Sequence, residues 1–350
     1  MNDLDRYNPK SLQTYSGIDT LYYFVKVNYI DYTIFYTEFV LKDKLEEADF
    51  KKVSKDNDAQ FIWYRKFIKL FNNYVPLFRI GFKNLNTQDG LLSLYIQLES
   101  ATIHYFGLEN VTNMVREHIN IYGFNILKEQ VSRADLNIFS SGYDFSIISY
   151  LDFKTSAKTV RKVAGSIEHN EYIYAGKLET LYLGKSKGTG VQLKIYNKGA
   201  ELKSTNDYFK ESVLMSLFSA KYGKSYGNDF WNIEFSLKRE SLKSYKIDTI
   251  QDLFLNANSL FIKLMDRYVY LEESKTSNLN SSRLKPHYVW SYLKNSYSLN
   301  REPIQDISKI KIKQYFHDDI WLKNRVIEYI NENHNKNIDD VILLIKSIKL

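Results

Sequence analysis

The chain has 350 residues, with 48 Lys and Arg against 41 Asp and Glu for a net charge of +7, and no cysteine. That length buries a sizeable core in one large domain or two to three small ones. Hydrophobic residues at 44% and charged residues at 25% exclude a disordered or fibrous chain. The missing thiols remove disulfide scaffolds, thiolate zinc sites, iron–sulfur clusters and cysteine nucleophiles together.

In chain order, residues 21–30, 32–40 and 75–82 read as short strands, and the aromatic run 61–73 as a helix. A strand follows at 92–97. Val111, Met114, Val115, His118 and Ile119 show helical spacing, with Gly123 as the stop. Three segments then alternate strictly: 131–139; 180–196, with a Gly-rich hairpin at 185–190; and 231–238. Beyond about Ser244 the pattern turns helical, first at 253–271 and then in two amphipathic stripes between Leu322 and Ile348. The polar stretch 278–286 reads as a linker. The expected fold is α+β, a mostly antiparallel sheet with flanking helices followed by an all-helical C-terminal part. The expected division is 1–90, an N-terminal part of the catalytic body; 91–244, the central sheet region; and 245–350, a helical region for recognition and partners.

Charge is concentrated. Between Lys154 and Lys203 ten Lys and Arg face four acids, a net +6 in one seventh of the chain. A polyanion would meet this segment first, with Lys185 and Lys187 in its hairpin. Aromatic residues, including 29 Tyr and 21 Phe, suit stacking on bases, although a coding bias accounts for such a composition equally well. The charged N-terminus lacks the apolar core of a secretory signal, and no run reaches the length of a membrane span, so a cytoplasmic location without membrane contact is expected.

Period-2 geometry decides which side chains can meet. In the first alternating strand Ala134, Leu136 and Ile138 face one way and Arg133, Asp135 and Asn137 the other. In the next, Val191, Leu193 and Ile195 oppose Gln192, Lys194 and Tyr196. In the third, Trp231, Ile233, Phe235 and Leu237 oppose Asn232, Glu234, Ser236 and Lys238. Asp135, Tyr196 and Glu234 therefore each lie on a polar face. Two carboxylates among oxygen donors suit Mg²⁺ or Mn²⁺. A tyrosine beside such an ion suits attack on a phosphodiester, with Arg133, Lys194 and Lys198 on flanking phosphates. For each residue taken singly, an alternating strand with a polar outer face is the ordinary state of an antiparallel sheet.

The run Thr180-Leu-Tyr-Leu-Gly184, then Lys194-Ile-Tyr-Asn-Lys198 with Glu201, preceded by Ser132-Arg-Ala-Asp135 and followed by Trp231 to Arg239, resembles the Rep_trans family over roughly residues 94–242. These are replication initiation factors of plasmids and mobile elements that start rolling-circle replication. The resemblance implies a sequence-specific nickase and transesterase. In it Tyr196 becomes linked to a 5′ phosphate, Asp135 and Glu234 hold the metal, and Lys198 contacts phosphate. It also implies origin DNA, double- and single-stranded, as partner, with a host helicase and a homodimer as further expected partners. Two positions depart from the family pattern: Phe139 stands where a second acid is frequent, and Asn232 where an arginine is frequent. A conjugative relaxase of an integrated element and a catalytically inactive DNA-binding regulator of the same fold are the alternatives. His104 and His169 are single histidines, and no His-x-His pair exists to hold a metal.

Overall fold

The computed structural model describes residues 12–29, 50–53, 61–70, 73–83, 91–121, 123–156, 160–164, 178–185, 190–227, 229–272 and 284–299. Twelve strands and seven helices are described. They are β1 (Gln13–Tyr29), β2 (Phe50–Val53), β3 (Phe61–Leu70), β4 (Asn73–Lys83), β5 (Leu91–Leu98), α1 (Ser100–Phe106), α2 (Leu108–Ile121), β6 (Phe124–Ser141), β7 (Phe153–Thr155), β8 (Val160–Ala164), β9 (Leu178–Leu183), β10 (Val191–Asn197), α3 (Lys198–Thr205), α4 (Tyr208–Tyr222), β11 (Phe230–Lys238), α5 (Arg239–Ser244), α6 (Ile250–Arg267), β12 (Tyr268–Tyr270) and α7 (Tyr288–Ser296). Ten strands form one antiparallel sheet in the order β2-β3-β4-β5-β1-β6-β11-β10-β9-β8, and β12 pairs with β7 apart from it. The α+β reading holds. The stripes expected between 322 and 348, the strand at 32–40, His169, Lys187 and much of the basic segment lie outside the described residues.

Two expectations need correction. Residues 61–70 form a strand, not a helix: Trp63 and Tyr64 are both buried, on opposite faces, so apolar residues on both sides hide the period-2 signal. The helix expected to reach 271 stops at Arg267, where the chain becomes β12 and its Tyr268 hydroxyl donates to the Val191 carbonyl at 2.6 Å. Helix α6 starts at Ile250, ahead of the expected 253, with a capping box between Thr249 and Asp252.

β1 and β6 are long and run together for most of their lengths at the centre of the sheet. The apolar faces of β6, β10 and β11 pack beneath α6, as Phe235 meets Phe261 at 5.4 Å and Tyr268 at 5.7 Å. The other face near β1's start is roofed too. Gly17 has no side chain, and a Cβ there would sit 3.3 Å from the His104 ring of α1. His104 meets Phe139 edge-on and Phe230 lies tilted against it, while Phe230 also meets Phe218 of α4. Helices therefore lie on both sides of β11, which is buried from Phe230 to Leu237.

The β9–β10 hairpin depends on one glycine. Gly184 has φ +91°, and a Cβ there would stand 2.4 Å from the Val191 carbonyl oxygen and 2.9 Å from the Tyr268 hydroxyl. Only glycine fits this turn.

Candidate active site

Register brings the polar faces together. β6 pairs with β11 so that Asp135 faces Ser236 and Asn137 faces Glu234; β11 pairs with β10 so that Glu234 faces Lys194 and Asn232 faces Tyr196. Cross-strand partners share a face, so Asp135, Glu234, Lys194, Asn232 and Tyr196 form one cluster.

Within it both carboxylates, the lysine and the tyrosine hydroxyl are hydrogen-bonded. The Tyr196 hydroxyl donates to Glu234 Oε2 at 3.2 Å and accepts from Asn232 Nδ2 at 2.7 Å. Asn232 is turned by Asn137, whose Nδ2 donates to Asn232 Oδ1 at 3.1 Å. Lys194 Nζ donates to Glu234 Oε1 at 2.6 Å and stands 4.0 Å from Asp135 Oδ2. Arg133 closes on Asp135 with Nη2 at 2.5 Å and Nε at 3.1 Å, while Ser236 Oγ donates to the same carboxylate at 2.6 Å. Asp135 and Glu234 are 1% and 3% exposed.

Burial sets the electrostatics. It raises Glu234 to about 7, and neighbouring Asp135 adds to this, with Lys194 opposing. Burial and then Glu234 hold the Tyr196 hydroxyl well above its ordinary value of 10.0, so at neutral pH it is a phenol, and Glu234 becomes its carboxylate acceptor as pH rises through about 7. Glu234 and Asp135 overcome burial to keep Lys194 charged.

The donor set was tested against a divalent ion. Both oxygens of Glu234 are engaged, one by Lys194 and one by Tyr196 and Asn232. Those of Asp135 are engaged by Arg133 and Ser236. Among the described residues no group of three or more His, Asp or Glu side chains is arranged to hold a metal, and Phe139 fills the position opposite Asn232. For Asp135 and Glu234 to hold Mg²⁺ or Mn²⁺ as expected, the Lys194 ammonium would have to move from between the two carboxylates.

Lys198 also differs from expectation. It is 1% exposed, ion-pairs with Glu201, and lies over the Tyr196 ring with Nζ 5.4 Å from the centroid. Burial, reinforced by the Lys210 ammonium, lowers its pKa. A lysine so enclosed supports the tyrosine ring and does not present its charge to a phosphate at the surface. Lys185 is exposed at the hairpin.

A second buried group adjoins the site and was not legible in the sequence. Asp19 Oδ1 accepts from Ser100 at 2.6 Å and Lys210 at 3.0 Å, and lies 3.2 Å from His104 Nε2. Burial pushes the Asp19 carboxyl up, but Lys210, His104 and Lys198 outweigh it and hold it well below the carboxylate range. Burial keeps His104 low and neutral. The hidden signal is a bulge: Ile18 faces Leu136 and Thr20 faces Asp135, leaving Asp19 out of the ladder.

No family model matches the chain, and no curated protein matches it. Among solved structures the chain is similar to a rolling circle replication initiator protein from Geobacillus stearothermophilus, at 12% identity and a TM-score of 0.45, over 83% of this chain and all of that one. A likeness this distant carries no argument about activity, which rests on the residues. No described helix is long and apolar enough to cross a membrane.

Proposed function

We propose that the protein nicks DNA by transesterification, with Tyr196 as nucleophile, and thereby initiates rolling-circle replication. The observation that carries this reading is the hydrogen bond from the Tyr196 hydroxyl to Glu234, made while Asn232 donates to the same oxygen. Glu234 Oε2 takes the proton as the phenol oxygen attacks phosphorus. The tyrosine–phosphate bond forms at the 5′ side, the bond from phosphorus to the 3′ oxygen breaks, and that oxygen leaves and takes a proton from solvent. Asn232 steadies the forming phenolate. Lys194 and Arg133 offset the charge of the phosphoryl oxygens on approach. The Rep_trans-like motifs around Asp135, Tyr196 and Glu234 support the same assignment.

The test is a supercoiled plasmid carrying the non-coding DNA that adjoins this gene, incubated with the protein in Mg²⁺, in Mn²⁺ and in chelator. Relaxed circles and a covalent protein–DNA adduct at Tyr196 are expected with Mg²⁺ or Mn²⁺, and the chelator arm reads whether the ion is needed. No adduct under any condition overturns the enzyme. The second reading is a DNA-binding regulator of the same fold, favoured by the ion pairing of both carboxylates and the raised pKa of Tyr196; it predicts binding without relaxation.

A further inference from the structure

The face that carries Asp135 and Glu234 does not end at Arg133. Register extends it across four more strands. Arg133 faces Tyr22, Tyr22 faces Gln97, Gln97 faces Arg79, and Arg79 faces Arg65. One step outward, Gln130 faces Phe24, Phe24 faces Tyr95, Tyr95 faces Gly81, and Gly81 faces Trp63. A further step pairs Lys26 with Lys128. Because cross-strand partners share a face, these residues form two parallel rows of rings and cations that lead away from the active site.

The rings are arranged as a platform. Phe24 and Tyr95 stack at 4.5 Å with planes 23° apart, and Trp63 and Tyr22 each meet Tyr95 edge-on at 5.8 and 6.1 Å. Gly81 makes this possible: the Trp63 ring lies across it, 3.0 Å from where a Cβ would stand. Phe24 is 37% exposed and Tyr22 and Tyr95 are half-buried, whereas their neighbours Tyr23, Val25, Leu94 and Ile96 on the other face are buried. Arg133 joins the two regions, its guanidinium 5.3 Å from the Tyr22 centroid while its nitrogens hold Asp135. Among the described residues of this surface Arg65 and Arg79 share Glu99, Lys128 pairs with Asp248 at 3.4 Å, and Lys26 is exposed beyond the rings.

We infer that this surface, Tyr95, Phe24 and Tyr22 backed by the buried Trp63, with Arg133 at its inner edge, binds single-stranded DNA leading to Tyr196 by stacking bases on the exposed rings. A duplex hides its base faces, so the platform is useful only for an unpaired strand, and neighbouring cations meet the backbone. The inference deepens the nickase reading and rests on it for the choice of DNA.

The test measures affinity of the full chain for a labelled oligothymidine and for a duplex of equal length by fluorescence anisotropy, in wild type, Phe24→Leu, Tyr22→Leu and the double variant. Leucine keeps the surface apolar and removes the ring. Each change is expected to weaken single-strand binding about fivefold or more, with duplex binding unchanged; Tyr208→Leu, on an exposed ring of α4, should change neither. As a check that needs no substitution, a bromouracil-containing oligonucleotide irradiated with wild-type protein should crosslink to peptides of β1 and β5. Unchanged single-strand affinity in the double variant, or crosslinks confined to other segments, overturns the inference. So does a wild-type dimer that Phe24→Leu dissociates without loss of DNA affinity, which would assign the surface to a second copy of the chain. An adduct at Tyr196 with no effect of the ring changes sinks this inference and leaves the nickase standing; ring-dependent binding with no adduct does the reverse.

Discussion

The two ends of β1 lie on one continuous sheet face, kept in phase by the bulge at Asp19, yet they differ in nearly every physical respect. At the Gln13–Asp19 end the face is roofed by α1, α3 and α4, and its polar groups exist because each is matched: Asp19 by Lys210, Ser100 and His104, and across the sheet Glu234 by Lys194 and Tyr196. At the Tyr22–Tyr29 end Phe24 and Lys26 are exposed, no described helix being placed over them, and the face carries rings and cations. A polar face under a roof has its charges shifted in pKa and ordered for chemistry, whereas the same face in water holds ligands by area and charge. The difference lies in what covers the strand.

The contrast is broken most directly at the nucleophile. Tyr196→Phe keeps the ring beneath Lys198 and removes the one oxygen that Glu234 and Asn232 hold, so adduct and relaxation should disappear while oligonucleotide affinity persists. An adduct that survives and maps by mass spectrometry to another tyrosine moves the nucleophile. Leu193→Ala, on the opposite face of β10, serves as its control: fully buried, it should cost about 2–5 kcal/mol in urea unfolding without selective loss of chemistry.

Next in size is the roofed ion cluster. Asp19→Ala leaves Lys210 buried beside Lys198 with no carboxylate at 3.0 Å, and should lower stability by about 3–5 kcal/mol. Pairing it with Lys210→Met should recover part of the loss. If Asp19→Ala costs no more than an exposed charge would, the roof does not exclude water and the comparison fails.

The pH dependence of Glu234 sharpens the picture. Its pKa is raised from 4.5 to about 7, so nicking should climb as pH rises through about 7 and the proton acceptor becomes a carboxylate. Stability runs the other way. The folded protein holds this proton more tightly than the unfolded chain, so the contribution is full below about 4.5 and is lost as pH rises through 7. Glu234→Gln should abolish the midpoint in rate and flatten that segment of the stability profile. A wild-type rate flat from pH 6 to 8 would show that another group takes the proton.

The smallest effect belongs to the hairpin. Lys185→Glu, at an exposed site, should reduce the salt slope of duplex binding by about 0.9 if its ammonium neutralises one phosphate. Lys198→Glu, thirteen residues on and buried against Tyr196, should instead unfold the protein. Equal and mild effects at both positions would refute the enclosure of Lys198.

Much of this was legible in the amino acids. Strict alternation in β6, β10 and β11 determined that Arg133, Asp135, Lys194, Tyr196, Asn232 and Glu234 sit on polar faces, since side-chain direction in a strand depends only on parity. The Gly-rich run at 185–190 likewise announced a hairpin, whereas the helix start at Thr249, four residues before the apolar spacing begins, came from the structure. What tertiary structure alone decided was strand order, register and cover. Placing β11 between β6 and β10 makes neighbours of residues up to about a hundred positions apart, and no local rule carries that information. The roof of α1, α3 and α4 took Lys198 out of water and made an ion cluster of Asp19 through a bulge that breaks the parity on which sequence reading depends, while register set the Lys194 ammonium between the two carboxylates expected to hold a metal. Period-2 patterning is a property of one strand; burial is a property of everything packed against it, and so the chemistry of these side chains became readable only once their neighbours were in place.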